Sequence, residues 1–459
     1  MRGWLLVLLL GSCSFTFDGS EPDVVLVGEP PDMSRLPRLN RAPVDDAYVV
    51  RGHDGAYWTA ILELGDLLRV RRLSDPPQEE EFRVKNPIIR WRAFFFVEPD
   101  ANPERPTRVT IRAAGEPGPG AQFLMPPGPA QIMTGGPEDV FLYWVTRPTT
   151  THFDVVRRDG SFRRRIPVPR GVDPTRPLDK GGFFDATGRR LLVRDGEGRV
   201  TLYSTVDEQD RDLGVRPRRM VLLPRERLLT CGEDGLRVVP LAGGDDLVLD
   251  RDACQGNSLW TSGDSVFYTV GDHMRRVPLD GSAPPQVVFE GGGRQLLLIG
   301  PEGELVYSLD PPGRWAHNAS DGWLGDWRFM LRGRHVNFSF DGRRLRWLEH
   351  AATLNGAGDL LSAEVPGGEP LRLARNVTRY AELADGRVLA ISNAAFWGTQ
   401  NRIIVIDETT RTAQWVADSA SAFLYVPGTR DLLVFVTTGG HSFDLVRVTI
   451  PRRLSPPAR

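Results

Sequence analysis

Residues 336–373 read VNFSFDGRRLRWLEHAATLNGAGDLLSAEVPGGEPLRL. Asp341-Gly342 is a tight-turn pair, because glycine takes positive φ without steric cost, and it joins the alternation Val336, Phe338, Phe340 to a second one, Leu345, Trp347. Period-two alternation on both sides of such a turn predicts a β-hairpin. A Gly-rich loop at Asn355 to Gly358 then leads to a third strand, Leu360 to Val365. Pro366-Gly367-Gly368 turns the chain into a fourth, Leu371 to Leu373. Four short antiparallel strands thus fit into about 40 residues.

The pattern recurs along the chain. Second strands centre near Phe95, Leu142, Leu192, Leu229, Phe267, Val306, Trp347, Leu389 and Val434, at spacings of about 37 to 50 residues. Third strands follow at Arg108–Ile111, Phe153–Val156, Val200–Tyr203, Leu236–Val239, Met274–Val277, Ile403–Ile406 and Leu445–Val448. No stretch sustains a helical period, so the expectation is an all-β chain. Repeats of this length imply a single β-propeller of four-stranded antiparallel blades over residues 46–451, about eight blades with seven to nine allowed. Closing such a ring pairs strands from both chain ends, and Tyr48–Val50 is the expected partner of the last blade.

The segment Phe338-Ser339-Phe340-Asp341-Gly342-Arg343-Arg344-Leu345 resembles the repeat of TolB-type (WD-repeat-like) propellers: aromatic, spacer, Asp-Gly, basic residues, apolar strand. Weaker copies lie at Phe184–Leu192 and Leu383–Leu389. The resemblance implies the fold and leaves activity open, since propellers host many unrelated functions.

The chain has 459 residues, a formal net charge of −2 and a pI near 6.4, which argues against a nucleic-acid partner that must neutralise many phosphates. Lys85 and Lys180 are the only lysines among 57 basic residues, a bias that reads as genomic base composition. Met1-Arg2 followed by the apolar run Trp4–Leu10 has the shape of a secretory signal, too short to span a bilayer. Leu10-Gly11-Ser12-Cys13 resembles the bacterial lipobox. It implies a signal peptide over 1–12, a diacylated Cys13 and a lipid anchor; an ordinary signal cut near Ser12 or Ser14 is the alternative. Residues 13–45, rich in Pro, Asp, Glu and Arg, are expected to be a flexible tether, and 452–459 a C-terminal tail. Ser14 after the cysteine points to the outer membrane. In an oxidising compartment Cys231 and Cys254 are either a disulfide or two buried thiols.

Two insertions break the rhythm. Gly115–Pro137 is Pro/Gly-rich and reads as a loop over one face. Pro311–Trp327 gathers Arg314, Trp315, His317, Asp321, Trp323 and Trp327 in a turn-rich setting, the aromatic and polar mixture a peptide or glycan site would use. The competing reading packs those tryptophans against a blade edge or the propeller mouth. No G-x-S-x-G elbow occurs, and the seven histidines show no metal spacing, so neither a metal nor a cofactor is expected. Asp407–Trp415 (DETTRTAQW) resembles the tryptophan-docking motif D-x-x-T-G-x-x-x-W of quinoprotein-like propellers, with Arg411 in place of the glycine. The expected function is a membrane-anchored, non-catalytic binding or scaffold protein for a protein, peptide or glycan. The alternative is an envelope enzyme of lyase, glycosidase or lactonase type with its site at the central channel.

Overall fold

The computed structural model describes residues 23–453 except 75–76, 91–92, 98–106, 126–129, 135–139, 146–151, 158, 169–182, 185–188, 208, 255–258, 291–293, 300–304, 310–319, 325–326, 332–333, 351–356, 394–400 and 440–441. Apart from one 3-10 turn at Met33–Arg35, every regular element among the described residues is a β-strand. The strands follow one another as antiparallel meanders. They form six separate four-stranded sheets and one continuous fourteen-stranded sheet that contains both ends of the described chain. This is the β-propeller arrangement. It does not confirm a count of eight blades, because the continuous sheet has no break at which blades could be counted.

The deciding stretch folds as a hairpin of Arg334–Phe340 and Arg344–His350, followed by Gly358–Glu364. Gly342 has φ +89°, and the Asp341 carboxylate accepts the backbone N–H groups of Arg343 (2.9 Å) and Arg344 (2.7 Å), which closes the turn. The same device recurs at Asp54, Asp159, Asp195, Asp280 and Asp385, each accepting a backbone N–H two residues on. Trp347 is fully buried and stacks on Phe338, ring centroids 6.5 Å apart. Leu345, Leu361 and Ala363 complete that cluster. Such apolar layers also lie between neighbouring sheets, as where Phe153, Val155 and Ile166 pack with Leu191 and Val193. Where sheets meet closely, only glycine fits: a Cβ on Gly115 would lie 2.6 Å from the buried Trp58 ring.

Several boundaries differ from expectation. The fourth strand at Leu371 runs on to Glu382, and another spans Thr412–Tyr425. Each pairs with one neighbour, bulges at Asn376 or Ser419, both at positive φ, and then pairs with the next, which makes the sheet continuous. The Gly115–Pro137 stretch is not one loop, since Ala121–Met125 and Ala130–Thr134 are strands. Ring closure is made earlier than Tyr48–Val50. Leu39 N–H donates to the Leu445 carbonyl (2.8 Å), Arg38 bridges to Val446 and Val44 pairs with Phe443, whereas Tyr48–Val50 pairs with Trp58–Ala60.

The flexible-tether reading of 13–45 fails from Asp23 onward. Val25–Val27 pairs in parallel with Thr412–Gln414, Val24 is buried, and Met33 and Leu36 pack on the cluster around Leu432 and Val446. Asn40 is buried and bonds Asp444 and Leu445. The segment can bury Val24, Leu39 and Val44, which its mean composition hides. The expected tail also begins docked: Arg453 is paired with Asp407 and Arg387 donates to the Pro451 carbonyl (2.9 Å).

Candidate functional site

Of the expected binding loop, Arg314, Trp315 and His317 lie outside the described residues. Asp321 and Trp323 lie on the strand Ser320–Leu324, and Trp327 begins the strand Trp327–Leu331. Trp323 is registered opposite Tyr307 on one side and Arg328 on the other. The described part of that stretch is therefore sheet. Cys13 also lies outside the described residues. Cys231 is the penultimate residue of the strand Arg227–Gly232, Cys254 follows Leu247–Asp250 at φ +75°, and the two are joined in a disulfide within the core around Leu236, Leu249 and Tyr268.

The chemistry-bearing groups that the fold does gather are arginines and carboxylates. Arg346, 2 % exposed, forks onto Glu408 through two 2.8 Å bonds, and its remaining nitrogen reaches Asp341 (2.9 Å) and Glu382 (2.8 Å). Arg344 adds a 2.6 Å bond to Glu408 and a 3.0 Å bond to Glu364. These residues come from successive strands and turns, so the cluster ties one part of the continuous sheet to the next. Burial alone would raise the Glu408 carboxyl, but the bonds and charge of Arg346 and Arg344 overcome it and hold that group below the ordinary glutamate value. At Asp341 burial is likewise outweighed, here by the backbone N–H groups of Arg344 and Arg343 and by Arg346. Beside them the Tyr380 hydroxyl lies 3.1 Å from Ser339 Oγ and 3.2 Å from the Arg346 carbonyl; burial pushes it up to about 12.

A second cluster has the same build. Arg69 and Glu63, both buried, pair through bonds of 2.9 and 3.2 Å, and Arg69 also meets Glu79 and Glu81. Arg41, from the closing segment, donates its backbone N–H to Glu63 (2.8 Å) and its guanidinium to Glu79 and Glu81. Elsewhere arginines cross from one sheet to the next. Arg112 reaches Glu80, Arg164 reaches Asp210, Arg190 reaches Glu226, Arg194 reaches the Pro217 carbonyl and Arg211 the Pro240 carbonyl. Tyr268 and Arg275 both converge on Asp250, at 2.5 and 3.1 Å.

A general acid needs a carboxyl held protonated toward neutral pH, by burial without a counter-charge. Asp341, Glu408, Asp407 and Asp385 are instead held down: Asp407 first by its bond to Arg453, and Asp385 by Arg387 against the opposing effect of burial. What these arrangements do is hold ionised acceptors in fixed geometry against arginines of the same continuous sheet. The arginine excess, read from sequence as base composition, does structural work here through its planar fork. The one signal that could have shown it is the basic pair Arg343-Arg344 after the Asp341-Gly342 turn. Among the described residues no group of three or more His, Cys, Asp and Glu is placed to hold a metal ion, and no helix is long and apolar enough to cross a membrane.

The Asp407–Trp415 segment is a turn of the kind its motif implies. Asp407 accepts the N–H groups of Thr409 (3.0 Å) and Thr410 (3.4 Å), Thr410 and Thr412 hydroxyls bond at 2.7 Å, and Arg411 sits at φ +53°, where the motif's glycine would be unstrained. Trp415 is half-buried under the Arg402 guanidinium, 5.0 Å from its ring centroid.

No family model matches the chain. No curated protein matches it either. Among solved structures, one described as the eukaryotic initiation factor is similar at 11 % identity and a TM-score of 0.45, over 73 % of this chain and 90 % of that one. A puromycin hydrolase aligns at 16 % identity and a TM-score of 0.31, over 66 % of this chain and 57 % of its own. An oligogalacturonate lyase in complex with manganese aligns at 11 % and 0.30, over 78 % and 97 %. Likeness this remote carries no argument about activity, and the fold assignment rests on the strand topology.

Proposed function

We propose that the protein is a lipid-anchored propeller of TolB-like type in the bacterial cell envelope, which binds a protein, peptide or glycan partner without catalysing a reaction on it. The observation that carries this reading is the state of the gathered charge. Asp341, Glu382 and Glu408 in one cluster, and Glu63, Glu79 and Glu81 in the other, all face arginines, so their chemistry is spent on tying together strands of the continuous sheet. The anchor rests on Leu10-Gly11-Ser12-Cys13, and Ser14 favours the outer membrane. Trp315, Trp323 and Trp327 supply aromatic contact area, with Arg314, His317 and Asp321 as polar neighbours.

The test is metabolic labelling with palmitate, joined to capture of partners from solubilised envelope. Wild type is expected to take up label, sediment with membranes and retain a stoichiometric partner. Cys13→Ala is expected to appear in the soluble fraction, and a folded Trp315→Ala/Trp323→Ala variant to lose the partner. Wild type without label overturns the anchor, and turnover of a glycan or lactone by the purified protein overturns the binding role.

A further inference from the structure

We infer that the sheet edge carrying Val25, Leu26 and Val27 faces the lipid surface and touches it; this rests on the acylation of Cys13 proposed above. Asp23 N–H donates to the Arg372 carbonyl (2.9 Å), Arg372 N–H donates back to the Asp23 carboxylate (2.7 Å), and Val25 N–H donates to the Arg411 carbonyl (3.0 Å). Val24 is buried with Leu348, Leu360, Leu373 and Ala413. The chain is thus fixed to the propeller from Asp23, ten residue steps after Cys13.

Ten steps span at most about 35 Å when fully extended, and a flexible chain of that length averages roughly 17 Å end to end. An acylated Cys13 would therefore hold this edge, rather than the propeller at large, beside the headgroups. The next three side chains stand outward, Val25 67 %, Leu26 45 % and Val27 39 % exposed. Among the residues whose side chains are described no other three consecutive large apolar side chains are so exposed. Exposed Arg411, beside the Thr412 that pairs with Val25, adds a cation suited to lipid phosphate. Three apolar side chains bind a bilayer weakly on their own. A tether this short makes the contact intramolecular, and a high effective concentration turns a weak contact into an occupied one.

The experiment uses the full acylated chain with Leu26→Cys as its single free thiol, since acylation consumes the Cys13 thiol and Cys231 and Cys254 are bonded to each other. A fluorophore on that thiol is read in phosphatidylcholine vesicles with and without a headgroup-level nitroxide lipid. The control carries the probe at Leu124→Cys, a residue 63 % exposed on the edge of another sheet. Quenching at position 26 at least about threefold stronger than at 124 is expected. Equal or absent quenching, with acyl label present, overturns the inference while leaving the anchor intact. A probe at 26 already shielded in detergent by a co-purifying protein assigns the edge to a protein strand and also overturns it. Absence of acyl label removes the anchor itself, so labelling tells the two failures apart.

Discussion

Replacing Arg346 with Met keeps most of the apolar stem and removes the guanidinium that faces Glu408, Asp341 and Glu382. Glu408 is then left almost fully buried with Arg344 as its remaining cation. Breaking a buried, hydrogen-bonded pair from one side costs roughly 3 to 5 kcal/mol, most of it the penalty of the stranded charge. For a domain of about 430 residues the unfolding entropy near Tm is on the order of 0.9 kcal/mol per degree, so the shift is roughly 3 to 6 °C if the propeller unfolds as one unit. The pH dependence is the sharper signature. In wild type the Glu408 carboxyl sits below its ordinary value of 4.5, so its contribution is fully present above that pH and is lost as pH falls through the folded value. In the variant, burial dominates and the folded value rises above the unfolded one; the variant's deficit is therefore smallest in acid, where Glu408 is protonated, and grows as pH rises past it. Calorimetry of both proteins from pH 3.5 to 7.5 reads this directly. The double variant Arg346→Met/Glu408→Gln should recover a good part of the loss. A shift under about 1 °C, or a deficit independent of pH, refutes the assignment of the cluster as a buried tie between parts of the continuous sheet.

Trp347→Ala removes a fully buried side chain and should cost roughly 3 to 5 kcal/mol, seen as a lower denaturant midpoint; a negligible change contradicts the inward register. Reducing the Cys231–Cys254 bridge, or changing both cysteines to Ser, should cost roughly 3 to 4 kcal/mol by the loop-entropy argument for a separation of 23 residues, read as a lower Tm under reductant. Arg411→Gly should stabilise by about 0.5 to 1 kcal/mol, because its φ of +53° is strained for arginine and free for glycine; a destabilised variant would mean the Arg411 side chain makes a contact worth more than that strain.

What the sequence made legible depended on whether a residue's neighbours were local. Asp341-Gly342 and the alternation around it could be read because turn chemistry and period-two burial lie within ten residues, and Phe95, Leu142, Leu192, Leu229, Phe267 and Val306 all fall on the second strands of their four-stranded sheets. The closing segment could not be read in the same way. Leu39, Asn40 and Val44 are buried by Leu445, Asp444 and Phe443, some 400 residues away, and nothing in their immediate composition distinguishes them from a solvated tether. The arginine clusters failed for a related reason: Arg346 meets Glu408 across a separation of 62 residues, so each partner looks like an ordinary surface charge in its own strand. That pair also shows why the Asp341-Gly342 turn is followed by basic residues. Asp341 fixes the turn through backbone N–H groups, and the same turn aims Arg344 and Arg346 at the next part of the sheet, so one local motif sets both the hairpin and its attachment to its neighbour. Loss of the Asp341 carboxylate should therefore weaken two levels of structure together, the turn and the tie to the next part of the sheet.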